Sequence, residues 1–167
     1  MLKHVSLVLV LLLGDAVHAA AQPSVFIIRH AERADAAKGV ALPKGADPDL
    51  SDSGRTRAQS LADALKDAHI TAIFATEFKR TQQTAAPLAK ALGLTVTTVA
   101  SKEAGALLQK VETASGNVLV VGHTNTIPDL VRGLGVSTPV TIEESEYDNL
   151  FIVVRGTKPV LIRLHYR

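Results

Sequence analysis

The 167-residue chain has no cysteine, no tryptophan, a single methionine and only 4% aromatic residues. Without cysteine there is no disulfide, no thiol nucleophile and no cysteine-ligated zinc. An absence of cysteine also fits an oxidising compartment. With so few rings, any core must be made of Val, Ile, Leu and Ala. Charge of one sign is not concentrated either. Eighteen Lys and Arg stand against sixteen Asp and Glu, a net charge of +2, with no run of like charge. That is not the dense basic face of a nucleic-acid binder. No apolar run reaches the roughly 20 residues of a membrane span. The sequence contains no Gly-x-Ser-x-Gly, no Walker loop and no complete dinucleotide fingerprint, which argues against those three chemistries.

What is present reads as one globular domain behind an address. The apolar fraction of 47% and charged fraction of 20% are ordinary for a folded chain. Residues 1–21 read as a secretory signal peptide. Lys3 and His4 open it, an apolar and Ser run follows over 5–13, and small residues around Ala19 and Ala21 suit cleavage. The expectation is a single domain over 22–167, secreted or periplasmic, with no stable membrane insertion after cleavage.

The remainder alternates strands and helices. Residues 25–28, 70–75, 94–100 and 117–121 are short apolar or Thr/Val-rich runs that predict strands. Residues 55–68 carry apolar positions at Ala58, Leu61, Ala62 and Leu65, a helical spacing, with Asp52 or Ser53 as cap. Further helices are expected over 78–92, stopped by Gly93, over about 101–114 capped by Ser101, and over 126–134 with Pro128 in the first turn. Pro87 invites a kink in the second of these. Residues 150–154 and 160–166 read as a closing antiparallel pair, and 35–50 as a long, mobile loop. The pattern predicts an α/β fold: a three-layer α/β/α sandwich with a mainly parallel sheet and an antiparallel C-terminal strand pair.

In such folds ligands bind at the carboxyl ends of the strands. Three polar clusters fall there: Arg29-His30-Ala31-Glu32-Arg33, Thr76-Glu77-Phe78-Lys79-Arg80-Thr81 and Gly122-His123-Thr124-Asn125. Two histidines and several arginines thus converge on one sheet edge. The combination suits phosphoryl chemistry. Arginine binds phosphate oxygens bidentately. A neutral imidazole can attack phosphorus. A second histidine can donate to the developing charge. Backbone N–H groups after His123, at a helix start, can add anion contacts.

These residues resemble the histidine phosphatase superfamily, also called phosphoglycerate mutase-like. Arg29-His30-Ala31-Glu32 is similar to its Arg-His-Gly signature. The stretch from Leu50 through Gly54 to Ala58 resembles its leucine-(Thr/Ser)-x-x-Gly segment. Thr76, Arg80, Thr81, Thr84 and Ala85 match its second arginine motif, and Val121-Gly122-His123-Thr124 its second histidine motif. The four motifs run in order from Val25 to about Gly135. The resemblance implies a metal-free, cofactor-free phosphomonoesterase, a histidine acid phosphatase-like enzyme with His30 as the phosphorylated nucleophile. Arg29, Arg80 and His123 would complete the phosphate pocket. Thr124 and Arg33 are further candidates for contact with phosphate. Ala31 replaces the usual Gly, and Thr124 stands where the phytase and acid-phosphatase branch has an acid, which points to the small mutase-like or phosphohistidine-phosphatase-like branch. That branch carries its proton donor between the second Arg and second His, where Glu103 lies. Glu32 and Glu77 also stand near strand ends.

Blander roles compete. Glu103 can simply favour a helix N-terminus, Arg33 can be solvated, and the acidic residues Glu143, Glu144 and Glu146 read as a solvated patch. His69 and His165 match no motif. The expected partner is a phosphorylated small molecule, with no nucleic acid. A mutase, a phosphohistidine phosphatase and a non-catalytic phosphate-binding module are the alternatives. The sequence names neither the substrate nor the oligomeric state.

Overall fold

A computed structural model of the protein describes residues 22–35 and 46–166. The leader expected over 1–21 and most of the loop expected over 35–50 lie outside the described residues. The chain forms β1 (Ser24–Arg29), α1 (Asp52–Leu65), β2 (Ile70–Ala75), α2 (Lys79–Leu92), β3 (Val96–Thr98), α3 (Ala104–Thr113), β4 (Asn117–Gly122), α4 (Thr126–Gly133), β5 (Asn149–Val154) and β6 (Val160–His165). The six strands lie in the order β3-β2-β4-β1-β5-β6. Strands β3, β2, β4 and β1 pair in parallel. The antiparallel part extends further than the closing pair, because β5 also runs antiparallel to β1.

The central strands are apolar throughout because helices cover both faces. Val25, Ile27, Val118 and Val120 point into one core, closed by Ile127, Leu130 and Val131 of α4 and by Val111 of α3. Phe26, Ile28, Leu119 and Val121 point into the other, closed by Leu61 and Leu65 of α1 and Leu88 of α2. The predicted three layers are therefore the observed ones. Among the described residues no helix is long and apolar enough to cross a membrane.

Local differences from the sequence reading have physical causes. Helix α1 begins earlier than its apolar spacing suggests. Its N-cap is Ser51, whose hydroxyl accepts from Gly54 N–H at 3.1 Å, and not Asp52 or Ser53. Ser51 is fixed there by its own N–H, which donates to Glu32 O at 2.9 Å. A Cβ on Gly54 would stand 2.2 Å from that same Glu32 carbonyl, so only glycine lets α1 pack this close to the chain after β1. Helix α2 runs through Pro87 without a break and ends at Gly93, whose φ of 65° is left-handed. Ser101 does not cap α3. Its N–H and hydroxyl donate to the Glu77 carboxylate at 2.7 and 2.9 Å, and α3 starts at Ala104 behind Glu103. Strand β3 keeps only three residues, since it is an edge strand paired to β2 alone.

Candidate active site

β1, β2 and β4 are parallel neighbours, so their carboxyl ends deliver Arg29-His30, Thr76 and Gly122-His123 to one edge. His30 N–H donates to Gly122 O at 3.0 Å, tying the two histidine segments together. Their rings meet edge to face, with centroids 5.3 Å apart. Both are buried, at 4% and 9% exposure.

The hydrogen bonds fix the state of each ring. His30 Nδ1 lies 2.8 Å from Ala31 O, so it carries the hydrogen and donates; Nε2 is left with its lone pair. Ala31 is held in turn, its N–H donating to Thr84 Oγ1 at 3.0 Å. On the other side, the Thr81 hydroxyl donates to Phe78 O at 2.7 Å. Thr76 then donates to Thr81 at 2.9 Å, and its oxygen accepts from His123 Nε2 at 2.9 Å. His123 is thus assigned the Nε2–H form. Burial pushes the His30 pKa down to about 3 and that of His123 to about 4, with the Arg80 charge acting in the same direction on each. Both rings are neutral at physiological pH.

Two arginines flank them. Arg29 is 5% exposed, and its Nη1 donates to the carbonyls of Glu143, Glu144 and Glu146 at 3.2, 2.8 and 3.3 Å. Its Nη2 meets the Glu144 carboxylate at 2.9 Å, and its guanidinium lies 4.3 Å from the Tyr147 ring centroid. Arg80 stacks on Phe78 at 4.2 Å and reaches Asp47 at 3.5 Å. Phe78 packs its ring edge to face on His123. The Nε–H groups of both arginines are buried and have no hydrogen-bond partner among the described residues. A buried donor without a partner is costly.

These side chains line an open cavity of about 670 Å³. The structure brings Arg29, His30, Arg33, Arg80, His123 and Thr124 to its walls. Arg33 arrives already paired with Asp35 at 2.6 Å. Glu103 does not reach the walls: it is exposed at the start of α3, while its neighbour Lys102 lines the cavity. Glu32 is bound to Arg57 at 2.7 Å. Glu77 is exposed; burial raises its pKa, but its own backbone N–H together with the Ser101 N–H and hydroxyl outweigh that and hold it below the ordinary carboxylate value. Sequence reasoning missed Glu144, which is the one carboxylate among the described wall residues, together with Phe78 and Lys102. Only the acidic run around Glu144 hinted at it.

Residues 25–102 match the model of the histidine phosphatase superfamily, branch 1. No curated protein matches the chain significantly in sequence. Solved structures do match in fold. A mycobacterial glucosyl-3-phosphoglycerate phosphatase complexed with VO3 superposes with a TM-score of 0.69 at 16% identity, covering 87% of this chain and 100% of its own. A phosphoserine phosphatase from Entamoeba histolytica, in complex with phosphoserine, gives 0.65 at 16% identity, covering 83% and 94%. The protein histidine phosphatase SixA complexed with tungstate gives 0.62 at 20% identity, covering 85% and 96%.

Proposed function

We propose that the chain is a metal-independent phosphomonoesterase acting through phosphohistidine on His30, a reading supported by the match of residues 25–102 to the histidine phosphatase superfamily model and by the likeness in fold. One observation carries this reading. A buried, neutral histidine with a bare Nε2 stands beside a second buried histidine, between two arginines that each hold an unpartnered buried Nε–H. Arginine forks match phosphate oxygens, and a low-dielectric site strengthens each contact.

In this mechanism the ester phosphate sits against Arg29 and Arg80, with Thr124 and the backbone at the start of α4 beside it. His30 Nε2 attacks phosphorus, forming the N–P bond as the ester P–O bond breaks. Its Nδ1–H bond to Ala31 holds the ring in line and spreads the positive charge that develops. His123, oriented by Thr76, faces the transferring group. Glu144 supplies the proton to the departing alcohol oxygen, and its carboxylate then takes a proton from the water that hydrolyses phosphohistidine. Phosphate competes with Glu144 for Arg29 and so releases the carboxyl for this work. The leader-like residues 1–21 support placing the activity outside the cytoplasm.

The test is hydrolysis of an aryl phosphate by the full chain with chelator present, beside His30→Ala checked for folding by circular dichroism. Activity that survives the chelator and vanishes in the variant is expected. Activity retained by His30→Ala, or lost to the chelator, would overturn the assignment. A folded wild type that binds tungstate but hydrolyses nothing would make the protein a phosphate-binding module.

A further inference from the structure

A second cavity, of about 150 Å³, lies behind the phosphate site, between α3, α4 and the ends of β2 and β4. Its walls are mostly apolar, formed by Val99, Leu107, Leu108, Val120 and Leu130, with the exposed Asp129 at its edge. It adjoins the site through shared residues. Ser101 and Thr126 line both cavities, and Thr76, which accepts from His123, forms part of its wall. The void exists because α3 stands off the sheet. Val111 is the one fully buried residue of that helix, while Leu107 and Leu108 stay half-buried. Gly105 adds nothing to fill it, and a Cβ there would meet no atom within 4 Å. The recess opens to solvent beside the exposed Ala104 and Gly105, and its volume matches a benzene-sized guest.

We propose that this cavity receives the apolar part of the substrate's alcohol, so that the protein selects phosphomonoesters carrying a short alkyl or aryl group. The proposal rests on the phosphomonoesterase reading and names its substrate class. The phosphate binds between Arg29 and Arg80, the ester oxygen faces Ser101 and Thr126, and the organic group enters between α3 and α4. A sugar phosphate would place hydroxyls against Val99, Leu107 and Leu130, where there is too little polar surface to bond them.

The experiment measures kcat/KM of the full chain on primary n-alkyl phosphates from ethyl to octyl. Each added methylene is expected to raise kcat/KM about 4-fold, the equivalent of about 0.8 kcal/mol per buried CH2, until the cavity fills near six carbons. Two variants move the limit in opposite directions. Ala104→Phe adds bulk at an exposed wall residue and shifts the optimum to shorter chains. Leu107→Ala enlarges the cavity and shifts it to longer ones. A flat wild-type profile, or an optimum that neither variant moves, overturns the proposal while the phosphatase reading stands. Failure to hydrolyse every alkyl ester and an aryl phosphate overturns both.

Discussion

Replacing His30 by Gln should make the protein more resistant to acid even as it abolishes turnover. His30 is 4% exposed and its pKa is pushed down, chiefly by burial, to about 3. In the unfolded chain the ring titrates near 6.5. Between those values the unfolded state binds a proton that the native state refuses, so stability falls as pH falls. The loss begins near pH 6.5 and is complete only near pH 3. At pH 4 it amounts to about 3 kcal/mol, taking roughly 1.4 kcal/mol for each unit between 6.5 and 4. Gln has nearly the same volume and nothing to protonate. Urea denaturation at pH 7 and pH 4, in buffers free of phosphate, gives the difference directly. Wild type should lose about 3 kcal/mol more than His30→Gln between the two. Equal losses would mean that His30 accepts its proton in the native state, and the neutral nucleophile would be refuted.

Three other perturbations probe separate parts of the structure. Glu144→Gln should lower kcat about 100-fold on alkyl phosphates, yet change hydrolysis of an ester with a strongly acidic phenol less than about threefold, because that leaving group needs no proton; equal losses on both would remove Glu144 from proton transfer. The same variant should alter stability by less than about 1 kcal/mol, since the Glu144 side chain is 83% exposed in its ion pair. Gly54→Ala drives a Cβ to 2.2 Å from Glu32 O, two residues past His30, and should cost about 2–3 kcal/mol in chemical denaturation together with a drop in kcat. Arg155→Ala removes side-chain bonds to the carbonyls of Pro23, Val111, Ala114 and Gly116, and should lower Tm by about 6–12 °C while leaving kcat unchanged at temperatures where the variant is folded.

The strands and the histidine-bearing ends were legible because they obey local rules. An apolar run bounded by Arg29-His30 or Gly122-His123 has to be a buried strand running into a polar turn, and parallel pairing then brings those ends together. Parts governed by single hydrogen bonds were not legible. Ser101 has the chemistry of a cap, but the Glu77 carboxylate takes both of its donors, and α3 starts three residues later. That shift puts Lys102 on the wall of the site and leaves Glu103 exposed at the helix start. The segment carrying Glu143, Glu144 and Glu146 has no periodicity, and it docks on Arg29 mainly through backbone carbonyls, which every sequence offers. Arg57, which reads as helix surface, is drawn inward by Glu32. The apolar cavity is made by side chains that fall short of one another, and no motif encodes a gap.

The two arginines share one arrangement that ties these features together. Each places an Nη atom against a carboxylate, Arg29 on Glu144 and Arg80 on Asp47, and each keeps its Nε–H buried without a partner among the described residues. A buried guanidinium needs a counter-charge, and the two acids supply it. Both acids can yield their place, Glu144 being 83% exposed and Asp47 31%. A phosphate dianion carries the same total charge as the two carboxylates. Under the proposed function, binding is an exchange of counter-ions in which a dianion replaces both carboxylates and a monoanion only one.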